Sequence, residues 1–234
     1  MPEAHISEVR KVVKTAKPEP TNGQVRRVTG SADSPITPEG HEQAEEMAGK
    51  YSHKFDRVFC SPEQRSIETA EKFGTPIVLS GLDAWARGSF ESLPAKSVSN
   101  QMKYFITHAN KRPPGTSPIS GKQGESYLEF LRPLMLVMRT LKEHSKPQQR
   151  VLAVTSGGDL QSVDQMASRG FPSDPTARDL KDISSCAYWT ATGTLFRLTD
   201  NGLEKSNDNE EPGIYMIEHT FTAFNGPDIP KSPK

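Results

Sequence analysis

Residues 151–158, which read VLAVTSGG, decide the fold of this chain. The continuous apolar run at 151–155 is typical of a strand that is buried on both faces of a parallel sheet. Ser156, Gly157 and Gly158 then lead into a segment whose apolar residues recur at helical spacing. A buried strand that runs directly into a helix indicates an α/β fold.

The same alternation of strand and helix extends to both sides of this unit. Extended runs are expected at 24–28, 55–59, 76–79, 186–192 and 194–198. Strands that alternate with helices favour a mainly parallel sheet covered on both faces. The predicted fold is therefore a three-layer α/β/α sandwich.

Helix starts are marked by residues that cap helices. Thr37 is a good N-cap and precedes Pro38, a favourable first helical residue. Ser61 forms a capping-box pattern with Gln64. Further helices are expected at 93–109 and 125–144, and Pro133 is expected to kink the second.

Both ends of the chain differ in character from the segment between them. We expect a partly helical extension at 1–22, a domain at 23–220 and a polar, proline-rich tail at 221–234. The extension and the tail are expected to dock on protein partners.

Composition excludes several classes of function. Lys+Arg and Asp+Glu number 29 each among 234 residues, so the net charge is zero. Binding to nucleic acid through overall positive charge is therefore not expected. No apolar run approaches the roughly 20 residues of a membrane-spanning helix. The two cysteines, Cys60 and Cys186, have neither a disulfide pattern nor metal-ligand spacing. We therefore expect no metal or cofactor and a reducing compartment, the cytoplasm first, with mitochondria as the alternative.

Charged and turn residues stand where the predicted parallel strands end. Arg26 and Arg27 end the first extended run, Arg65 follows the second, and Ser156-Gly157 follows the strand at 151–155. Guanidinium groups and free helix N–H groups both favour an anion such as phosphate. The alternative is that the arginines are surface charges and that the glycines form a tight turn.

Four motifs, taken in order, resemble the histidine phosphatase superfamily, whose fold is phosphoglycerate-mutase-like. Residues 36–44 (ITPEGHEQA) are similar to the family's LTxxGxxQA, and residues 61–70 (SPEQRSIETA) to its SPxxRxxETA. Residues 124–132 (GESYLEFLR) follow its GGESxxxFxxR segment, and residues 151–158 its VxVxTHGG strand. The resemblance implies the family's α/β fold over about residues 23–220.

The chain departs from the family where the chemistry is carried out. Arg27 stands at the position of the nucleophilic histidine, and Val28 at that of the following glycine. Ser156 replaces the second histidine and Ala84 the acid. A guanidinium is not a nucleophile, and an alanine cannot protonate a leaving oxygen.

These departures imply a catalytically inactive member that acts as a structural or binding subunit, possessing a residual anion cleft. Arg26, Arg27, Arg65, Ser156 and Gly157 would form that cleft, and no catalytic residue is expected. One alternative is a repurposed phosphomonoesterase or mutase-like enzyme. A second alternative is a sensor that binds a phosphorylated ligand without cleaving it. No histidine, including His219, has a Ser/His/Asp or metal-type spacing partner, so surface histidines are the simpler interpretation.

Overall fold

The computed structural model describes residues 27–51, 55–146, 148–167, 193–199, 202–206 and 213–218. The helices within these ranges are α1 (Pro38–Gly49), α2 (Gln64–Ala70), α3 (Ala95–Thr107), α4 (Tyr127–His144) and α5 (Gly157–Ala167). The strands are β1 (Arg57–Cys60), β2 (Pro76–Val78), β3 (Arg150–Thr155), β4 (Gly193–Thr199), β5 (Gly202–Ser206) and β6 (Gly213–Glu218). Gly88–Phe90 forms a short 3-10 helix.

The six strands form one sheet in the order β2-β1-β3-β6-β4-β5. β1 pairs in parallel with β2 and β3, and β3 pairs in parallel with β6. β4 runs antiparallel to its neighbours β5 and β6. The α/β fold with a mainly parallel sheet is therefore confirmed.

Alternating side chains of the central strands bury two separate clusters, as the two-residue period of a strand requires. One cluster contains Val58, Cys60, Leu152, Val154 and Tyr215, together with Met47 of α1 and Ala70 of α2. The other contains Phe59, Val151, Ala153, Ile214 and Met216, together with apolar residues of α4 and α5. Because consecutive residues enter different clusters, the helices cover opposite faces of the sheet, which confirms the three layers.

Two helix starts follow from local sequence, whereas a third does not. Thr37 caps α1 by accepting a hydrogen bond from the Gly40 backbone N–H at 3.0 Å. Ser126 and Glu129 form a capping box at the start of α4, two residues beyond the predicted start.

The predicted capping box of Ser61 is wrong. α2 begins at Gln64, and the Ser61 hydroxyl donates to the Ser66 hydroxyl at 2.6 Å instead. The Gln64 N–H donates to Asp33 Oδ1 at 2.7 Å, so a side chain from a distant loop caps this helix.

The N-terminal strand expected at 24–28 is not part of the sheet in its described portion. Arg27 forms only an isolated bridge with Pro94, and Val28 exchanges backbone hydrogen bonds with Leu93 and Ser92. β6, which sequence analysis did not predict, pairs with β3 at the centre of the sheet. The extension at 1–22, the strand at 186–192 and the tail at 221–234 lie outside the described residues.

The remaining predicted elements exist with shifted ends. The run at 55–59 is realised as β1, 76–79 as β2, 93–109 as α3 and 194–198 as β4. Among the described residues, no helix is both long and apolar enough to cross a membrane.

Candidate functional site

The candidate site lies where β1 and β3 end at the same edge of the sheet. Residues 61–63 follow β1, and Ser156 follows β3. The Ser61 N–H donates to the Val154 carbonyl at 3.1 Å, and the Thr155 hydroxyl donates to the Leu82 carbonyl at 3.1 Å. These bonds fasten the loop around residue 82 to the carboxyl edge, where α/β proteins bind their ligands.

Arg65 is the buried cation of this site, with only 1% of the residue exposed. One terminal nitrogen donates to the Ala32 carbonyl, and the other donates to the Gly30 carbonyl at 3.0 Å. Burial lowers the pKa of Arg65, while Glu63, Asp33, Asp159 and Glu91 oppose that shift. Arg65 thus holds the loop at 30–32 and is surrounded by carboxylates.

Glu63 lies beside Ala84, the position that sequence analysis assigns to the family's acid. Its Oε1 accepts the Ala84 backbone N–H at 2.8 Å and lies 3.8 Å from a terminal nitrogen of Arg65. Its Oε2 is buried and has no hydrogen-bond partner among the described residues. The carboxylate of Glu63, directly before α2, therefore contacts the backbone of Ala84, whose own side chain carries no acid.

Asp159 and Ser156 cap the start of α5 through reciprocal hydrogen bonds. Asp159 Oδ2 accepts from the Thr155 hydroxyl at 2.5 Å and from the Ser156 N–H at 3.0 Å, while Ser156 Oγ accepts from the Asp159 N–H at 3.4 Å. Burial raises the pKa of Asp159 to about 8, although these hydrogen bonds oppose the shift. The carboxyl group is therefore mostly protonated at neutral pH.

Glu91 is a third buried acidic residue, which joins three loops. Its Oε1 accepts from the backbone N–H of Ser31 at 2.8 Å, from the Ser31 hydroxyl at 2.9 Å and from the Arg87 N–H at 3.0 Å. Its Oε2 accepts from the hydroxyls of Ser117 at 2.6 Å and Ser120 at 3.0 Å. These loops form the walls of the cleft beside Glu63.

The structure brings together some of the residues that sequence analysis assigned to the site. Arg65 and Ala84 come together through Glu63, a residue that sequence analysis did not assign to the site and that contacts both of them. Gly157 begins α5 directly after Ser156.

Arg27 makes a different contact and is exposed. Its guanidinium donates to the Ser92 carbonyl at 2.7 Å. Arg26 lies outside the described residues.

Sequence reasoning missed Glu63 and the linking role of Glu91. Glu63 lies inside the recognised motif at 61–70, but no pattern indicates that its side chain points inward. Asp159 lies in the first turn of α5, where an acidic residue is favoured, and it accepts from the Ser156 N–H there.

Comparisons with known proteins agree with this architecture. The family model for the histidine phosphatase superfamily (branch 1) matches residues 19–188. No curated protein shows significant sequence similarity to the chain.

Similar solved structures include three phosphatases. Phosphoserine phosphatase from Entamoeba histolytica in complex with 3-phosphoglyceric acid has 18% sequence identity and a TM-score of 0.58, over 79% of this chain and 90% of that chain. Alpha-ribazole phosphatase from Shigella flexneri has 18% identity and a TM-score of 0.55, over 80% of this chain and 90% of that chain. Mycobacterial glucosyl-3-phosphoglycerate phosphatase has 17% identity and a TM-score of 0.53, over 68% of this chain and 76% of that chain. At these identities the likeness shows the fold alone. With the family model matching most of the chain, this protein belongs to the histidine phosphatase superfamily.

Proposed function

We propose that this chain is a catalytically inactive member of the superfamily that acts as a structural or binding subunit. The observation that carries the proposal is that Arg65 donates its hydrogen bonds within the protein. Its two terminal nitrogens donate to backbone carbonyls of residues 30 and 32, so this guanidinium serves the protein's own loop. The same residue is the one that sequence analysis expected to hold a phosphate.

The positions of the family's reacting groups support the same proposal. Arg27 and Ser156 replace histidines, and Ala84 replaces the acid. Without a nucleophile, no covalent intermediate forms. The backbone N–H of Ser156 already donates to Asp159. Fewer backbone N–H groups are therefore available to bind an incoming anion at the start of α5.

A repurposed phosphomonoesterase is the second candidate, and two observations favour testing it. Glu63 places a carboxyl group at the Ala84 backbone, where it is a candidate acid. β6 runs parallel to β3 with Glu218 opposite Thr155, and His219 is the next residue in the sequence. His219 itself lies outside the described residues.

The test is an assay of the purified chain with a panel of phosphate monoesters, combined with mass spectrometry for phosphohistidine. We expect no phosphate release above buffer and no phosphohistidine. Release that is lost in Glu63→Gln or His219→Gln variants would overturn the proposal, because those are the two candidate reacting groups named above. A Glu42→Gln variant, which changes an exposed carboxylate on α1, is the matched control.

The binding role has a separate test. Native purification followed by mass spectrometry of co-eluting proteins is expected to give a stable complex. Truncation of residues 1–22 or 221–234 is expected to release the partner. A monomer without partners that binds a phosphorylated ligand would instead favour the sensor.

A further inference from the structure

The cleft beside Glu63 is lined mainly by carboxylates. One cavity, of about 370 Å³, has Asp33, Glu63 and Asp83 in its wall, and Lys122 is its basic residue. An adjoining cavity of about 330 Å³ shares Asp83 and Lys122 and adds Glu125. An excess of carboxylates over cations attracts a positively charged group and repels a phosphate.

The hydrogen bonds within the protein leave this negative charge in place. Asp33 accepts from the Gln64 N–H at 2.7 Å, and Asp83 accepts from the Gly81 N–H at 2.8 Å. Glu63 accepts from the Ala84 N–H. All three donors are neutral backbone groups, which orient the carboxylates without neutralising them. The guanidinium of Arg65 lies 3.8 Å from Glu63 Oε1 and offsets part of this negative charge.

Glu63 gives an independent indication of a ligand. The residue is 5% exposed and lines the cleft, yet its Oε2 has no hydrogen-bond partner among the described residues. Buried carboxylate oxygens in folded proteins ordinarily accept hydrogen bonds. Arg65 does not satisfy this oxygen, because its contact with the carboxylate is to Oε1 and, at 3.8 Å, is longer than a hydrogen bond. An N–H donor from outside the described chain would fill this place.

The residues that line the cleft favour a guanidinium over a metal ion as the bound cation. The described residues contain no group of three His, Cys, Asp or Glu that could hold a metal ion. The adjoining cavity of about 330 Å³ is lined in part by the apolar residues Phe130 and Pro133, against which the aliphatic stem of a ligand can pack. A guanidinium offers several N–H donors in one plane and pairs well with carboxylates.

We propose that this cleft binds a guanidinium group carried on an aliphatic stem, with Glu63 and Asp83 as its acceptors. The inference rests on the proposed function only in that the cleft binds a ligand and does not hydrolyse one. The guanidinium can belong to a small metabolite or to an arginine side chain of a protein partner. The experiment below separates these sources.

The test is calorimetric titration of the full chain with agmatine, with acetyl-Ala-Arg-Ala-amide and with inorganic phosphate. We expect a guanidinium probe to bind and phosphate not to bind. Tighter binding of agmatine assigns the site to a small molecule, and tighter binding of the peptide assigns it to a partner segment. Glu63→Gln and Asp83→Asn are each expected to weaken binding about tenfold, and Glu42→Gln to leave it unchanged.

Asp83→Asn decides the result if Glu63→Gln does not fold. Asp83 is only partly buried, and asparagine retains an acceptor for the Gly81 N–H. Absence of guanidinium binding at millimolar concentration would overturn the inference, as would equal binding by the Asp83→Asn and Glu42→Gln variants. Phosphate release in the ester assay would overturn the proposed function instead, so the two failures are distinguishable.

Discussion

Glu63 Oε1 lies 2.8 Å from the Ala84 backbone nitrogen and 3.8 Å from a terminal nitrogen of Arg65. One buried carboxylate therefore joins Ala84, the position predicted for the family's acid, to Arg65, the arginine of the motif at 61–70. The contact gives Arg65 a carboxylate neighbour inside the protein. This neighbour counts against a simple phosphate cradle and makes the region sensitive to the removal of either charge.

Removal of the Arg65 charge is expected to destabilise the fold strongly. An Arg65→Met variant leaves the Glu63 carboxylate without its neighbouring buried cation and the Gly30 and Ala32 carbonyls without their donor. Loss of one partner of a buried ion pair costs about 3–5 kcal/mol. Urea denaturation measures the change in the free energy of unfolding.

The double variant Arg65→Met/Glu63→Gln provides the control for this prediction. It removes both charges, so it is expected to recover part of the stability that Arg65→Met loses. If the two substitutions are additive, Glu63 and Arg65 do not interact across the 3.8 Å that separates them.

Loss of Glu91 is expected to loosen the walls of the cleft. Glu91→Ala leaves the Ser31 and Arg87 N–H groups and the Ser117 and Ser120 hydroxyls without their acceptor. Buried groups left unsatisfied cost about 1–3 kcal/mol each, and water entering the cavity reduces the sum. We expect a loss of about 3 kcal/mol in urea denaturation, against less than about 0.5 kcal/mol for Glu42→Ala on the exposed face of α1. Equal losses in the two variants would contradict the linking role.

Asp159 is expected to make stability depend on pH. Burial raises its pKa in the folded protein from 3.8 to about 8. Between those values the folded state binds more protons than the unfolded state, so stability from this group is complete below about pH 4 and is lost as the pH rises toward 8. Urea midpoints measured at pH 5, 7 and 9 are therefore expected to fall.

The matched variant for this prediction is Asp159→Asn. Its side-chain carbonyl can still accept from the Thr155 hydroxyl and the Ser156 N–H, but the side chain does not titrate. The fall of the urea midpoint with pH is expected to be shallower in this variant. The same slope in both proteins would assign the pH dependence to other groups.

The local sequence was sufficient for elements whose determinants are close together in the chain. The Thr37 cap and the apolar run that forms β3 are such cases. The start of α2 could not be predicted, because Asp33, some thirty positions upstream, accepts the N–H of Gln64. The contacts of Arg65 and Glu63 likewise depend on loops that meet only in the folded chain, so residue type alone favoured an anion site.

Restoration of the family's reacting groups is expected to fail in this scaffold. The variant Arg27→His/Ala84→Glu/Ser156→His supplies the missing side chains, and residues that act as one catalytic unit must all be placed correctly. Arg27, however, bridges Pro94 outside the sheet, and the Ala84 and Ser156 N–H groups are already bound to Glu63 and Asp159. We therefore expect no phosphate release from a generic phosphate ester.

A fourth substitution tests whether the pocket is merely blocked. Val28→Gly removes a buried branched side chain at the position where the family has glycine. We expect the quadruple variant to fold, as judged by circular dichroism, and to remain inactive, because Val28→Gly does not free the Ala84 and Ser156 N–H groups from Glu63 and Asp159. Hydrolysis by the triple variant would show that residue 27 reaches the reacting phosphate after all. Hydrolysis by the quadruple variant alone would show that the Val28 side chain, and not a rearranged cleft, is what prevents hydrolysis by the triple variant.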